Sequence, residues 1–279
     1  MAGREHHCAS AGTQKSIDVL IPTCNRAGAL AVTLTSLCSQ SFRDFDVIVS
    51  DQSENYDTAV LAQTRAVVRV LERHGSRVIF HKNLPKCGLA QQRAFLLAKA
   101  SASYCLCLDD DVILEWDLLA RLFKAIEIQR CGFVGSALIG LSFIDDERPE
   151  QQAIEFWNGS VVPERVRPAT AQWERHHLHS AANLLHVQDQ LAFTPETERL
   201  YRVAWISGCV LFDTHKLRAT GGFDFWPELP ADHCGEDVLA QLRVMERYGG
   251  CGIIPSGAYH QELPTTVVRR TVNAPKVLL

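Results

Sequence analysis

Short apolar runs alternate with amphipathic helical patterns through the first half of the chain, and this alternation restricts the fold more than any other feature. Ile17 to Ile21 reads as a strand, and Leu30, Leu34, Leu37 and Cys38 follow at helical spacing. Phe45 to Ser50 is a second strand-like run, followed by a helical pattern from Ala59 to Glu72. Arg77 to His81 is a third run, and the loop from Lys82 to Gly88 leads into a helix over Leu89 to Lys99. Tyr104 to Leu108 is a fourth, after which Trp116, Leu119, Leu122, Phe123 and Ile126 mark a helix and Gly132 to Leu141 another buried strand. Such alternation implies right-handed crossovers and a mainly parallel sheet, with ligands beyond the strands' carboxyl ends.

At one of those ends stand three consecutive aspartates, Asp109, Asp110 and Asp111. Packed carboxylates repel one another unless they fan out into water or a cation neutralises them, and hard divalent ions prefer oxygen ligands. A solvated acidic turn capping the following helix is the plainer alternative.

With 279 residues, 47% of them hydrophobic and 22% charged, the chain can bury one large core, and a single α/β domain with an insertion is expected. The formal charge of -4 argues against general attraction to nucleic acid. The polar start from Met1 to Ser16 lacks the apolar core of a secretory signal, and no run reaches the roughly 18 apolar residues of a membrane span. A cytoplasmic protein with a flexible 1–15 segment is expected, free to associate peripherally with a membrane. Ten scattered cysteines with no C-x-x-C pair read as buried thiols.

Periodicity fades from about Asp145 to Leu200, an irregular insertion with Trp157 and Trp173 as isolated anchors. His176, His177 and His179 lie here without a regular ligand framework, so a solvated or packing role is the reading for them. Order resumes at Val203 to Phe212, a strand by composition. No P-loop and no G-x-G-x-x-G is present, which weakens ATPase and dinucleotide-dehydrogenase readings. A second acidic pair, Glu236-Asp237, opens a helical pattern containing Leu239, Leu242, Val244 and Met245, where the helix dipole alone also favours carboxylates.

With these elements placed, the chain resembles the GT-A glycosyltransferases, particularly the family 2 group. The resemblance runs in order from Ser16 to His260: a first strand with Pro-Thr-x-Asn-Arg at Pro22 to Arg26, a second strand ending in Asp-x-Ser at Asp51 to Ser53, Asn-x-x-x-x-Gly-x-x-x-x-Arg from Asn83 to Arg93, and Asp-x-Asp at Asp109 to Asp111. Gly221-Gly222-Phe223-Asp224 and Gly235-Glu236-Asp237 complete it.

The resemblance implies a GT-A, Rossmann-like sheet flanked by helices. Its halves would be a nucleotide-sugar-binding part, 16–144, and an acceptor and catalytic part, 201–262, with 145–200 inserted and 263–279 a tail. It implies transfer of a sugar from a nucleoside-diphosphate sugar, most often UDP-linked, to an acceptor hydroxyl, with inversion favoured and retention open. The acceptor, whether glycan, lipid-linked or small molecule, is not specified.

Donor contacts would come from Thr23, Asn25, Arg26, Asp51, Ser53, Gly88, Arg93, Asp109 and Asp110. Mg²⁺ or Mn²⁺ would be held by Asp111 with Asp109 and His260. Asp237, beside Glu236, would be the general base. Trp226 is a candidate for stacking a sugar face, ahead of Trp205, although either could be core. The competing readings are a catalytically silent nucleotide-sugar-binding module and a sugar-phosphate nucleotidyltransferase. The latter normally carries a glycine-rich loop after its first strand, which Pro22 to Leu30 does not resemble.

Overall fold

The computed structural model describes residues 14–194 and 197–279, so the segment expected to be flexible, 1–15, falls almost wholly outside the described residues. The strands are β1 (Ile17–Thr23), β2 (Phe45–Asp51), β3 (Val78–Lys82), β4 (Tyr104–Leu108), β5 (Val112–Leu114), β6 (Phe133–Gly135), β7 (Arg199–Tyr201), β8 (Cys209–Asp213), β9 (His233–Cys234), β10 (Gly250–Ile254), β11 (Ala258–His260) and β12 (Val272–Asn273). The helices are α1 (Ala27–Cys38), α2 (Ala62–Arg73), α3 (Leu89–Lys99), α4 (Leu118–Gln129), α5 (Asn183–Gln190), α6 (Thr214–Ala219), α7 (Glu236–Tyr248) and α8 (Ala274–Leu278).

Eight strands form one sheet in the order β3-β2-β1-β4-β8-β6-β10-β7. It is mainly parallel, as the strand–helix alternation requires, with β8 and β7 running against their neighbours. Alternate residues of each strand enter two apolar layers: Ile17, Val19 and Ile21 of β1 face the layer containing Leu106 and Leu108, whereas Leu20 faces that containing Cys105 and Cys107. A period of two buried on both faces is why these strands read as continuous apolar runs.

Several elements are shorter than their composition suggests. The run from Gly132 to Leu141 is a strand only over β6: its partner β8 begins at Cys209, opposite Ser136, whose hydroxyl instead bonds the Ser256 carbonyl. Val203 to Phe212 becomes a strand only at Cys209. Ile206 is instead gripped by Gln241, which accepts from its amide at 2.8 Å and donates to its carbonyl at 2.6 Å, a side chain in place of a strand partner. The helix expected over Ala59 to Glu72 is split into a 3-10 turn at Thr58–Val60 and α2. The stretch from Asp145 to Leu200 is irregular, built from 3-10 turns, α5 and β7, yet Trp157, Val166, Leu178 and Leu184 anchor it in the apolar layers. No described helix is long and apolar enough to cross a membrane.

Candidate active site

The carboxyl ends of β1 and β4 bring Thr23 and Asp109 to Asp111 to one edge of the sheet. β8 starts beside them in the opposite direction, and the Asp109 amide closes the junction on the Gly208 carbonyl at 2.9 Å. The first turns of α3 and α7 meet the same edge and enclose a cleft of about 440 Å³. Gly88, before α3, has φ +92°; an added Cβ there would come within 2.8 Å of the Ala231 carbonyl oxygen and of His233. Gly235, at φ +76°, opens α7 from a left-handed conformation, which only glycine adopts without cost.

Two arginines divide the aspartates between them. Arg93 on α3 is 4% exposed and bridges Asp109 (Nη2 to Oδ1, 2.8 Å) and Glu236 (Nε to Oε1, 3.1 Å). Burial works against its charge, but Asp109 and Glu236 outweigh that and hold its proton more tightly than usual. Arg26, at the mouth, lies 2.6 Å from Asp111 Oδ2 and 3.4 Å from Asp110 Oδ1, and also donates to the Pro264 carbonyl. Asp110 accepts from the Thr23 hydroxyl at 2.6 Å; burial, with Asp111 nearby, pushes its carboxyl up to about 6. For Asp111 burial acts upward too, but the hydrogen bond from His260, with Arg26 beside it, holds its carboxyl below the usual range.

Asp237, in the first turn of α7, lines the same cleft. Burial, reinforced by the charge of Glu236, raises its carboxyl to about 7, only partly offset by Arg93. A carboxylate tuned to neutral pH is a competent proton acceptor.

The donor atoms present fit a divalent ion with an incomplete protein shell. Asp111 turns a carboxylate oxygen into the cleft, where ions such as Mg²⁺ commonly take one or two carboxylates and leave the remaining positions to water and phosphate. Asp109 is taken up by Arg93. His260 Nε2 is 3.4 Å from Asp111 Oδ2, but its Nδ1 accepts from the Glu262 amide at 3.0 Å, so the proton of the neutral ring lies on Nε2. His260 therefore ligates through Nε2 only after the Glu262 amide turns away. Asp109, Asp111 and His260 thus do not converge on a ready three-ligand cage.

Thr23, Arg26, Arg93, Asp109, Asp110, Asp111, Glu236, Asp237 and His260 all line the cleft; Asn25 and Gly88 line an adjoining hollow of about 620 Å³. Asp51 and Ser53 line neither. Asp51 is buried, accepting from the Ser53 amide at 2.8 Å and the Thr58 amide at 3.1 Å with Lys82 at 3.2 Å. Burial would raise its carboxyl, but the bonds from Ser53 and Thr58 together draw it below the usual range. Ser53 accepts from the Asn25 amide at 2.8 Å and so shapes the loop from behind. Trp226 packs against the core in a 3-10 turn, and Trp205 is the tryptophan that lines the cleft.

Sequence reasoning missed two contributors. His233 accepts from the Ala90 amide at 3.1 Å through Nε2 and donates to the Pro230 carbonyl at 2.7 Å through Nδ1, satisfying a free amide at the start of α3. The segment after His260 passes across the mouth: the Gln261 amide donates to the Asp111 carbonyl at 2.8 Å, and Leu263, Thr266 and Arg270 line the cleft before β12 pairs with β9. Neither carries a spacing that would have revealed it.

Comparison with known proteins places the chain in a family and agrees with its fold. The family model described as glycosyl transferase family 2 matches residues 18–205. A curated relative, the GalNAc(5)-diNAcBac-PP-undecaprenol beta-1,3-glucosyltransferase of Campylobacter jejuni, is 29% identical over 124 residues, covering 44% of this chain and 38% of that protein. S. aureus TarS 1-349, solved in complex with UDP-GlcNAc, superposes with a TM-score of 0.54 at 15% identity over 90% of this chain and 60% of that one. The mannosyltransferase PcManGT of Pyrobaculum calidifontis, in complex with GDP-Man and Mn²⁺, gives 0.50 at 17% identity over 86% of this chain and 57% of that one. The chain thus spans between 38% and 60% of the length of these proteins.

Proposed function

The chain belongs to glycosyl transferase family 2, and from that premise we propose that its cleft transfers a sugar from a nucleoside-diphosphate sugar, UDP-linked by preference, to an acceptor hydroxyl with inversion at the anomeric carbon. The observation that carries the reading is the placement of Asp237, raised to about 7, in one cleft with the Thr23–Arg26–Asp111 cluster. That arrangement supports a base on one side of the anomeric carbon and a site for departing negative charge on the other, as in-line displacement needs.

In this reaction the acceptor oxygen forms the new bond to the anomeric carbon as the bond to the diphosphate breaks. Asp237 takes the hydroxyl proton, and the bonding electron pair leaves with the nucleoside diphosphate. Glu236, held by Arg93, keeps a negative charge beside Asp237 and so preserves its basicity. Arg26 lies where it can meet the diphosphate once it lets go of Asp111. Mg²⁺ or Mn²⁺, held by Asp111, would supply Lewis-acid stabilisation of the leaving group; the Mn²⁺ complex of PcManGT supports a divalent ion.

The irregular stretch 145–200 and Trp205 are assigned to the acceptor side, with Asn25 and Gly88 on the donor side. A lipid-linked acceptor is favoured because the curated relative's name specifies an undecaprenol-linked one. The reading is tested by incubating the protein with nucleotide sugars, Mn²⁺ and a panel of lipid-linked and free acceptors, and following the product's anomeric proton by NMR. Transfer with inversion, lost in Asp237→Asn, is expected. Nucleotide-sugar binding without turnover on any acceptor would replace it with a silent binding module, and retention would overturn the role of Asp237.

A further inference from the structure

The 3-10 turn at Trp173–His179 gathers side chains that do not line the cleft. Among the described residues, Glu174, His176 and His177 form a cluster in which one ligand atom from each lies within 4.8 Å of the others. His177 Nε2 stands 3.1 Å from Glu174 Oε2, and the two imidazole rings lie with centroids 4.1 Å apart.

One ring nitrogen of His176 is committed by its surroundings. Its Nδ1 is 2.8 Å from the Trp173 carbonyl oxygen, which can only accept, so Nδ1 carries the proton and Nε2 keeps its lone pair. An outer hydrogen bond of this kind, from one ring nitrogen to a carbonyl, orients and strengthens a ligating imidazole. The same ring stacks on Trp205 at 5.0 Å and 14°, which limits its rotation further.

We propose that Glu174, His176 and His177 bind one divalent transition-metal ion of the Zn²⁺ class, at a site separate from the donor cleft. Two imidazoles and one carboxylate suit Zn²⁺, Co²⁺ or Ni²⁺, whereas Mg²⁺ and Mn²⁺ favour oxygen-rich shells. A tetrahedral ion with bonds near 2 Å sets its ligand atoms about 3.3 Å apart, so the three must close by at most roughly 1.5 Å. Glu174 is exposed and His177 half-buried, so both have room to make that adjustment, and water fills the fourth position. Coordination would fix His176 and through it the indole of Trp205, which forms part of the cleft wall. The ion thereby braces one wall of the cleft without touching its chemistry.

The test uses the full chain stripped of metal by a chelator, with no nucleotide sugar and no turnover, so it stands or falls independently of sugar transfer. Zn²⁺ is titrated by calorimetry and Co²⁺ by visible absorption. One equivalent is expected to bind, with the intense Co²⁺ bands of four-coordination and a change in tryptophan fluorescence. His177→Ala is expected to lower the affinity roughly a hundredfold and Glu174→Gln at least about tenfold, while Asp111→Asn leaves it unchanged. Both variants alter side chains with solvent access, and a wild-type melting curve without metal confirms the fold. No saturable binding, or binding undiminished in both variants, would overturn the site; loss in Asp111→Asn alone would move the ion to the donor cleft.

Discussion

Arg93 and Arg26 each hold members of one aspartate triplet, but in opposite settings. Arg93 is sealed between α3, the end of β4 and the start of α7, with Asp109 and Glu236 on its guanidinium. Arg26 sits at the cleft mouth against Asp110, Asp111 and the carbonyl of Pro264, with solvent alongside. A buried arginine whose carboxylate partners have no other cation is a fixed part of the fold, because removing it strands charge in a low-dielectric interior. In the proposed reaction a metal ion would compete for the carboxylates that Arg26 holds and a diphosphate for the guanidinium itself, so the bonds at the mouth would be exchangeable. On the proposed function, the inner pairs would position the base and the outer pairs would mark where the donor enters.

The comparison is broken most sharply at the residue the inner arginine supports. Asp237→Asn is expected to reduce kcat by about 10²- to 10⁴-fold, the range of general-base catalysis, with little change in donor KM. In the parent enzyme, kcat/KM should rise with pH through about 7 as Asp237 loses its proton, and the variant should lose that limb. Stability shifts the other way. The folded carboxyl titrates near 7 and the unfolded one near 3.8, so between these values the folded state binds more protons and stability falls as pH rises. Asp237→Asn should therefore melt higher than the parent at pH 8, and equal melting there would place Asp237 in an ordinary solvated setting.

Arg93→Met comes next. Leaving the buried Glu236, and the one-third-exposed Asp109, without their cation should cost about 3–5 kcal/mol of stability, read from denaturant midpoints. Arg26→Ala should cost clearly less stability than that, since the Arg26 side chain is 15% exposed at the cleft mouth against 4% for Arg93, and water entering there can solvate Asp110 and Asp111. It should instead raise donor KM roughly ten- to a hundredfold, as expected when a hydrogen bond to a charged group worth about 1.5–3 kcal/mol is lost. Equal stability losses in the two variants would abolish the distinction between inner and outer pairs.

The inner half was the more legible. Gly88, the apolar spacing of α3 and the run of β4 each point to one local structure, and α3 is found at the bounds its pattern predicts, Leu89–Lys99. The aspartates could be placed because they directly follow a strand. What stayed hidden depended on partners distant in sequence. Gln241 substitutes for a strand at Ile206, His233 satisfies an amide on α3, and Asp51, which reads as a ligand at a strand tip, is consumed by its own loop. Trp205 and Trp226 are equivalent in composition, and only packing decides that the first faces the cleft. Segment 263–279 has no periodicity to announce that it crosses the mouth.

That crossing segment provides the smallest test. Besides the bond from Arg26 to Pro264, it is tied to the rim where the half-buried Glu262 accepts from the Ser142 hydroxyl at 2.7 Å in a solvent-exposed contact. If the outer arginine is the main tie, as its position against two aspartates implies, Glu262→Gln should change donor KM less than about fivefold, corresponding to under about 1 kcal/mol for an exposed contact. The amide still accepts from Ser142 but no longer offers a charge. A loss as large as that in Arg26→Ala would show that the rim holds the segment, and that Arg26 acts on the donor alone.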